Sequence, residues 1–282
     1  MAPVWPNFFI VGAARAGTTS LYEYLRDLKK IYLSPVKEPR YFCSSKEPPG
    51  YAPAPIRSEA EYLKLFQAVR DESAVGEASP QYLCDPDAPA SIHAAAPEAR
   101  IIMILRDPVA RAFSHYLLHQ RMGVQRRPAE TALKEEFYLR HGLDAGPVKT
   151  YLRLFGGNRV KVLIFDDFIR DTSRSVSDVL RFLDVEAEPG PTSQIHNAYG
   201  RPRGALRRLI YENMALKSAG RRLFSDRFRR TAREEIFLGK DVKPPLPEEC
   251  RTFLEEFYRG DVAELEDIIG RDLPWFHAQQ TS

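Results

Sequence analysis

The sequence predicts an α/β protein in which a central parallel sheet carries helices on both faces. Short apolar runs alternate along the chain with longer segments of helical periodicity, and several of the runs end at glycine or at a proline turn. The runs are almost continuously apolar, which is typical of strands that are buried on both faces. Because alternating strands and helices form right-handed parallel crossovers, this pattern favours three layers around one sheet.

The predicted elements follow one another in that alternation. The predicted strands cover residues 8–11, 74–75, 101–105 and 160–165. The first predicted helix begins at residue 18. Further helices are predicted at residues 88–96, 109–120, 173–183 and 248–269, and a helical region is predicted at residues 132–155. The apolar face of the last helix predicts four core residues, Phe253, Phe257, Val262 and Leu265. The chain of 282 residues, 44% of them hydrophobic, is therefore interpreted as one domain over residues 1–282.

Two long segments between these elements are predicted to be loops. They are the proline-rich residues 47–55 and residues 186–202. Loops of such length in compact domains are usually functional lids or mobile segments. Both are therefore predicted to cover substrate or cofactor, and the choice of substrate is expected to lie there.

The first predicted strand runs into a glycine turn that is typical of a phosphate-binding loop. Glycine allows the backbone to approach an anion closely, and the helix that follows adds about half a positive charge at its N-terminus. The candidate contacts are Arg15, Ala16, Gly17, Thr18, Thr19 and Ser20. The loop resembles the Walker pattern G-x-x-x-x-G-K-[ST], but a threonine follows Gly17 and the basic residue is Arg15. The predicted fold is thus three-layered and P-loop-like.

A strand, a glycine turn and a capped helix also occur in α/β proteins without any ligand, so a second segment of this kind is informative. Its strand ends in Arg106, at the sheet edge where open α/β sheets bind ligands. Asp107 and Pro108 stop the strand and start a helix, and Ser114 lies about two turns into it. An arginine fork beside a serine hydroxyl suits a second phosphate group. The alternative is that Arg106 only pairs with a surface carboxylate.

Together the two segments resemble the signatures of sulfotransferases that use 3′-phosphoadenosine 5′-phosphosulfate (PAPS). Further segments resemble the heparan-sulfate-type branch or such domains in general, at residues 37–42, 76–82, 197–203 and 272–275. The resemblance covers most of the chain and implies PAPS as donor and 3′,5′-adenosine bisphosphate (PAP) as product. It implies that residues 17–20 hold the 5′-phosphosulfate and that Arg106 and Ser114 hold the 3′-phosphate. Arg201 and Arg203 would belong to a basic loop that closes over the nucleotide.

The resemblance also implies catalytic roles. Glu77 is the predicted base, at a predicted strand end where partial burial would raise its pKa enough to accept the acceptor's proton. Many relatives have a lysine at position 15, so either Arg15 or Lys37 is predicted to stabilise the departing phosphate oxygen. His115 is a second candidate for the base, because the cytosolic small-molecule branch uses a histidine. Ala78 replaces a lysine of the heparan-type enzymes, so acceptor contacts there need not be shared.

Composition and charge narrow the ligands and the compartment. The three cysteines are scattered, and His115 and His119 have no third ligand nearby in the sequence, so no metal is predicted. A net charge of +3 without a recognition motif argues against nucleic acid, although residues 201–233 are basic. No run approaches the ~20 apolar residues of a membrane span, and a cytoplasmic protein is therefore predicted.

The predicted activity is sulfuryl transfer from PAPS to a hydroxyl or amine. The acceptor would be a sugar, a polyketide-like or carrier-bound group, or another small metabolite. A nucleoside-triphosphate kinase is the competing enzyme class, and it is disfavoured because no lysine follows Gly17 and no acidic strand end is evident for Mg²⁺. A nucleotide-binding module without catalysis is the non-enzymatic alternative.

Overall fold

A computed structural model of the chain describes residues 3–44, 54–186, 201–202, 238–239 and 243–276. The strands of the main sheet are β1 (Phe8–Gly12), β2 (Ile31–Leu33), β3 (Ala74–Ala78), β4 (Arg100–Leu105) and β5 (Val160–Ile164). All neighbours in this five-stranded sheet are parallel, in the order β2-β3-β1-β4-β5. A separate antiparallel pair joins β6 (Arg201–Pro202) to β7 (Leu238–Gly239).

Helices connect these strands. The longer α-helices are α1 (Thr18–Arg26), α3 (Ala88–Ala95), α4 (Pro108–Met122), α7 (Ala145–Phe155), α9 (Thr172–Phe182) and α10 (Glu248–Ile269). The shorter ones are α2 (Glu59–Leu63), α5 (Ala129–Ala132), α6 (Glu136–Arg140) and α8 (Phe165–Arg170). Single 3₁₀ turns cover Lys64–Phe66, Pro80–Leu83 and Gly157–Arg159. The predicted alternation of strands and helices is confirmed.

The central strand β1 determines where a ligand can bind. All five of its residues are buried, as expected for a strand covered on both faces. Its neighbours are β3 on one side and β4 on the other. After β1 the chain forms β2 and β3 on one side of it, and then crosses to form β4 and β5 on the other side. At such a topological switch point a crevice opens beyond the carboxyl ends of the strands. The loop after β1, the end of β3 and the end of β4 all meet at this edge.

Two glycines permit close packing in the sheet. A Cβ at Gly12 would stand 2.5 Å from the Leu83 side chain, and one at Gly76 would stand 2.4 Å from the Phe8 ring. These distances lie well inside van der Waals contact, so neither position accepts a side chain without a shift of its neighbours. The glycine that ends β1 therefore has a packing role as well as its place in the loop.

The structure corrects several predicted boundaries. It adds β2, whose three residues are too few to show a period, and α8, which begins at Phe165 where a strand was predicted to end. The strand at residues 74–75 extends to Ala78, so Glu77 lies inside β3. Its burial is complete rather than partial. The helical region predicted at residues 132–155 is divided, because α6 ends at Arg140 and α7 begins only at Ala145. Gly142 lies between these two helices, and a Cβ there would stand 2.2 Å from the Tyr258 ring.

The core face of α10 also differs from the prediction. Phe257 is 41% exposed, and Phe253 is only half-buried. The buried positions are instead Cys250, Leu254, Tyr258, Val262 and Leu265. The Tyr258 hydroxyl anchors this face by donating to the backbone oxygens of Tyr138 at 3.0 Å and Leu139 at 3.1 Å. The amphipathic pattern was thus correct in period and wrong in phase at Phe257.

Most of the two predicted lids lies outside the described residues, namely residues 47–53 and 187–200. Their role as lids stays a prediction, as does the single-domain organisation. Across the part of the chain that the structure describes, none of the helices has the length and apolar character needed to cross a membrane.

Candidate functional site

The loop after β1 has the backbone geometry of an anion cradle. Arg15 and Gly17 both have positive φ, at 68° and 91°, and Gly17 is the N-cap of α1. Within the described residues, no side chain caps this helix, and its first turn contains no acidic residue. The Ala13 amide donates to the Ile104 carbonyl at 2.8 Å, which ties the loop to β4. The α1 N-terminus therefore presents its positive dipole end toward the crevice.

The end of β4 brings a second cation to this loop. Arg106 Nη1 donates to the Arg15 carbonyl oxygen at 2.9 Å, and its Cζ lies 4.4 Å from the centre of the Phe165 ring. Asp107 caps α4 by accepting from the amides of Val109 at 2.8 Å and Ala110 at 3.3 Å. The carboxylate next to Arg106 is thus engaged with the helix backbone. The predicted start of α4 is confirmed, with Pro108 in the first turn.

These groups surround a cavity of about 170 Å³, which we call the cationic cavity. Arg15 Nε donates to Ser114 Oγ at 3.1 Å, so the loop and α4 meet there. The cavity is lined by Arg15, Arg106, Ser114, Leu117, Leu118, Arg121 and Lys243, and none of these described lining residues is acidic. Burial lowers the pKa of Arg106. The arrangement is suited to a multiply charged anion.

Glu77 is the centre of a different group, which we call the Glu77 hydroxyl cluster. Its Oε1 accepts from the hydroxyls of Tyr82 at 2.7 Å and Tyr62 at 3.1 Å, and its Oε2 accepts from Ser79 at 2.7 Å. Burial raises the pKa of Glu77 to about 7, even though the three hydroxyls and the charge of Lys37 act to lower it. The side chain is fully buried. Because its pKa is about 7, this carboxyl can hold or release a proton near neutral pH.

Lys37 lies in an ion pair beside that cluster. Its Nζ is 2.6 Å from Glu38 Oε1, and Glu38 Oε2 accepts from Gln81 Nε2 at 2.9 Å. Burial acts to raise the pKa of Glu38, but the charge of Lys37 and the hydrogen bonds outweigh it and lower this pKa. Lys37 is not among the residues that line the cationic cavity. Of the two candidate cations, Arg15 alone is placed there.

His115, in α4, is buried among other rings and does not line the cationic cavity. Its ring centre is 4.7 Å from that of His119 and 5.5 Å from that of His141. Burial lowers the pKa of His115 well below its usual range, and lowers the pKa of His119 and His141 to about 4. In the described ranges, no group of three or more histidine, cysteine or acidic side chains is placed to hold a metal ion.

Sequence reasoning missed three residues near the site. Arg111, one turn before Ser114, forms a buried pair with Asp144 whose contacts are 2.9 to 3.1 Å. This pair fixes α4 to the start of α7. In the sequence, only the position of Arg111 three residues before Ser114 could have indicated that it lies near the site. Arg121 lies two turns after Ser114 on the same helix, so helical spacing could have found it. Lys243 comes from a distant segment and had no local signal.

The basic loop is only partly described. The backbone of Arg201 lies in β6, opposite Gly239. Arg203 lies outside the described residues. Their predicted contacts with a nucleotide therefore stay predictions.

Comparisons with known proteins agree with this geometry. A family profile described as a sulfotransferase domain matches residues 6–259. The crystal structure of a sulfotransferase from Alicyclobacillus acidocaldarius has 32% sequence identity and a TM-score of 0.70, over 96% of this chain and 98% of that chain. Heparan sulfate glucosamine 3-O-sulfotransferase 6 of Homo sapiens is 26% identical over 285 residues, which are 96% of this chain and 74% of that protein. Membrane-associated sulfotransferase kil1 of Dictyostelium discoideum is 32% identical over 111 residues, so the match spans 22% of that protein.

Proposed function

The chain belongs to the sulfotransferase domain family, and from that premise we propose that it transfers a sulfuryl group from PAPS to a hydroxyl group of a carbohydrate. The donor half of this proposal rests on the cationic cavity. The acceptor half rests on the Glu77 hydroxyl cluster and on the relatives.

The cationic cavity is the observation that carries the proposal. It places Arg15, Arg106 and the Ser114 hydroxyl around about 170 Å³, with no acidic side chain among the described lining residues. Such a lining fits a phosphate dianion, because like charges gathered out of water are stabilised when an anion compensates them. A nucleotide with a second phosphate group, away from its reacting end, supplies that charge. PAPS has this feature, and ADP and ATP do not.

The residues of the chain divide the work of the transfer. When bound, PAPS supplies a sulfuryl group joined to phosphate through an oxygen that leaves with the nucleotide. The α1 N-terminus and Arg15 hold positive charge at the loop, where negative charge develops on that oxygen. Arg106 and Ser114 orient the nucleotide through its 3′-phosphate. Glu77 accepts the proton of the acceptor, since a pKa of about 7 suits a base at neutral pH.

A carbohydrate hydroxyl is the acceptor that the relatives favour. The human relative aligned over 96% of this chain is named for a glucosamine 3-O position. A hydroxyl group must lose its proton as it attacks, and Glu77 is a carboxyl at the correct sheet edge with a suitable pKa. His115 is enclosed by aromatic rings and is not needed for this step.

Titration calorimetry of the full chain tests the donor. PAP is compared with ADP and with ATP·Mg²⁺ under identical conditions. We expect PAP to bind at least tenfold more tightly than ADP, because only PAP has a phosphate for the cationic cavity. Preference for ATP·Mg²⁺ would overturn the proposal in favour of a kinase.

A transfer assay tests the acceptor. Radiolabelled PAPS is incubated with heparan-type oligosaccharides, simple phenols and alkyl amines, and the product is identified by mass. We expect label on an oligosaccharide hydroxyl. Label on a phenol or an amine alone would contradict a carbohydrate acceptor. Tight PAP binding without transfer to any acceptor would favour the non-catalytic nucleotide-binding module.

A further inference from the structure

Glu77 is enclosed in the structure, although the proposed transfer requires it to meet an acceptor. Its side chain and those of its three hydroxyl donors, Tyr62, Ser79 and Tyr82, are all completely buried. Because protein interiors are closely packed, an incoming hydroxyl group has room beside the carboxylate only where one of these donors moves aside. The three donors are held with different firmness, which indicates the one that moves.

Ser79 and Tyr82 are each held by a second hydrogen bond at the hydroxyl. The Ser79 hydroxyl also accepts from the Arg40 amide at 3.1 Å. The Tyr82 hydroxyl also accepts from the Phe42 amide at 3.4 Å. The backbone supports both residues, because the Ser79 amide donates to the Ile10 carbonyl in β1 at 3.1 Å and the Tyr82 amide donates to the Ser79 carbonyl at 3.0 Å. Displacing either hydroxyl would therefore leave a buried loop amide without its partner.

Tyr62 is held more weakly than the other two donors. Its hydroxyl donates to Glu77 Oε1 at 3.1 Å, whereas the other two contacts to Glu77 are 2.7 Å. Across the described part of the chain, this is the only hydrogen bond of the Tyr62 hydroxyl. The residue comes from α2, a helix of five residues that no described side chain caps. Tyr62 is thus the donor whose movement breaks the fewest contacts.

The ring of Tyr62 also lies next to a partly exposed surface. It stacks on the Tyr41 ring, with the ring centres 4.4 Å apart and the planes 14° apart. The centre of the Trp5 ring lies 5.9 Å from that of Tyr62. Both Tyr41 and Trp5 are only half-buried. Displacement of Tyr62 therefore joins Glu77 to a surface that an acceptor can reach.

We propose that Tyr62 is a positioning residue whose hydroxyl occupies, on Glu77 Oε1, the place that the acceptor hydroxyl takes during transfer. This inference rests on the proposed function, because it takes sulfuryl transfer with Glu77 as the base as given. In the complex, the acceptor hydroxyl donates to Oε1 in place of Tyr62. The acceptor oxygen then forms a bond to sulfur while its proton passes to Oε1. The bond between sulfur and the bridging oxygen breaks, and its electron pair leaves with the nucleotide.

The charges around Glu77 make this exchange measurable as a pH effect. The hydrogen bond from Tyr62 lowers the pKa of Glu77, as do those from Tyr82 and Ser79 and the charge of Lys37. Burial and the charge of Glu77 raise the pKa of Tyr62 well above its usual range, so its hydroxyl stays a donor at neutral pH. Loss of the Tyr62 hydroxyl should therefore raise the pKa of Glu77 wherever the two are in contact.

Two pH profiles of Tyr62→Phe, which keeps the ring and loses the hydroxyl, test the exchange. The profile of kcat/KM for the acceptor reports the pKa of Glu77 before the acceptor binds, and that of kcat reports it in the complex. We expect the acid limb of kcat/KM to move to higher pH by about half a unit, as for one hydrogen bond. The acid limb of kcat should move less than about 0.2 units, because Tyr62 no longer contacts Glu77 in the complex. Above both limbs, kcat/KM should rise about threefold, since the acceptor displaces no hydroxyl.

Tyr82→Phe is the matched control. It also removes one tyrosine hydroxyl from Glu77 Oε1, but Tyr82 stays in place when the acceptor binds, so both acid limbs should move to higher pH. Initial rates are measured with saturating radiolabelled PAPS and a heparan-type oligosaccharide. Calorimetry with PAP verifies that both variants are folded, and the affinity should stay within about twofold of the wild-type protein because neither tyrosine lines the cationic cavity.

The failures of the two proposals are distinguishable. If the wild-type protein transfers no label from PAPS, the proposed function is wrong and the role of Tyr62 is wrong with it. If the wild-type protein transfers label and both limbs move in Tyr62→Phe as they do in Tyr82→Phe, the hydroxyl stays on Glu77 in the complex and only the role of Tyr62 is wrong. Unchanged limbs in Tyr62→Phe would likewise overturn that role, because the hydroxyl would then have no effect on Glu77.

Discussion

The cationic cavity and the Glu77 hydroxyl cluster lie at the same edge of the sheet and differ in the sign and the surroundings of their charged groups. In the cavity, Arg15, Arg106 and Lys243 converge, and the described lining contains no carboxylate. In the cluster, one carboxylate is surrounded by hydroxyl donors from Tyr62, Ser79 and Tyr82, all buried. One group therefore gathers positive charge around a space that an anion can enter, whereas the other is a carboxylate that already accepts three hydrogen bonds from the protein.

This contrast in charge determines how each region can act on a ligand. The cavity presents its cations to a space that an anion can enter, so it is organised for binding before a nucleotide arrives. The Glu77 carboxylate already accepts three hydrogen bonds, so it can take a proton from an acceptor hydroxyl only by exchanging one of its present donors. With a pKa of about 7, close to half of the Glu77 carboxyls are ionised at neutral pH.

Glu77→Gln should abolish transfer and leave the cavity intact. We expect the rate of sulfuryl transfer to fall roughly 10³-fold, the usual contribution of a general base, with PAP affinity changed less than about twofold. Initial rates with PAPS and calorimetry with PAP measure the two effects. Glu38→Gln is the matched control, since Glu38 is a neighbouring carboxylate paired with Lys37. A Glu77→Gln protein that keeps most of its turnover would leave Glu77 as a core hydrogen-bond acceptor only.

The same substitution should change how stability depends on pH. Glu77 has a pKa of about 7 in the folded protein and its ordinary pKa of 4.5 when unfolded, so the folded state binds more protons between these values. The free energy of unfolding of the wild-type protein should therefore fall as pH rises through that window, by about 3 kcal/mol. Glu77→Gln should lack this decline.

Urea unfolding at about pH 5 and about pH 8 measures this difference. Asp144, whose pKa burial raises to about 6, contributes to the pH dependence of both proteins and cancels in the comparison. Parallel pH profiles for the wild-type protein and the variant would contradict the buried, half-ionised state of Glu77.

Arg106→Ala should damage the cavity and spare the cluster. We expect PAP to bind about 100-fold more weakly, because an arginine fork makes up to two charge-assisted hydrogen bonds to one phosphate. Affinity for adenosine 5′-phosphate should fall less than about threefold in the same calorimetric titration. Arg100→Ala is the control, since Arg100 begins the same strand at its opposite end and pairs with Asp184. Equal losses for both nucleotides would mean that Arg106 only supports the Arg15 carbonyl and the Phe165 ring.

The sequence revealed more of the cavity than of the cluster, for physical reasons. The loop at Gly17 and the strand end at Arg106 have local signals, because a left-handed glycine, a proline at a helix start and a buried strand are each set by a few adjacent residues. The fold class depends on the same local alternation and was predictable. Neighbouring residues do not determine what lies across a packed interface.

Burial and partners are tertiary properties, and there the predictions were incomplete. Glu77 was expected at a strand end with partial burial, but β3 continues past it and Tyr62 reaches it from α2. The arrival of Lys243 at the cavity depends on how α10 packs against α4. Phe257 was assigned to the core because the helical period alone does not fix which face of a helix meets its neighbours.

Arg15→Lys should change turnover least, and it tests whether the charge at position 15 contributes to the transfer. Lysine keeps the positive charge and leaves the position 15 carbonyl, which accepts from Arg106, but it loses the Nε contact with Ser114. We expect turnover to change less than about tenfold. Arg15→Met, which removes the charge at similar length, should lose considerably more. Equal rates in the two variants would show that position 15 contributes no charge to the transfer, and Lys37, on the cluster side, would then be the remaining candidate for that role.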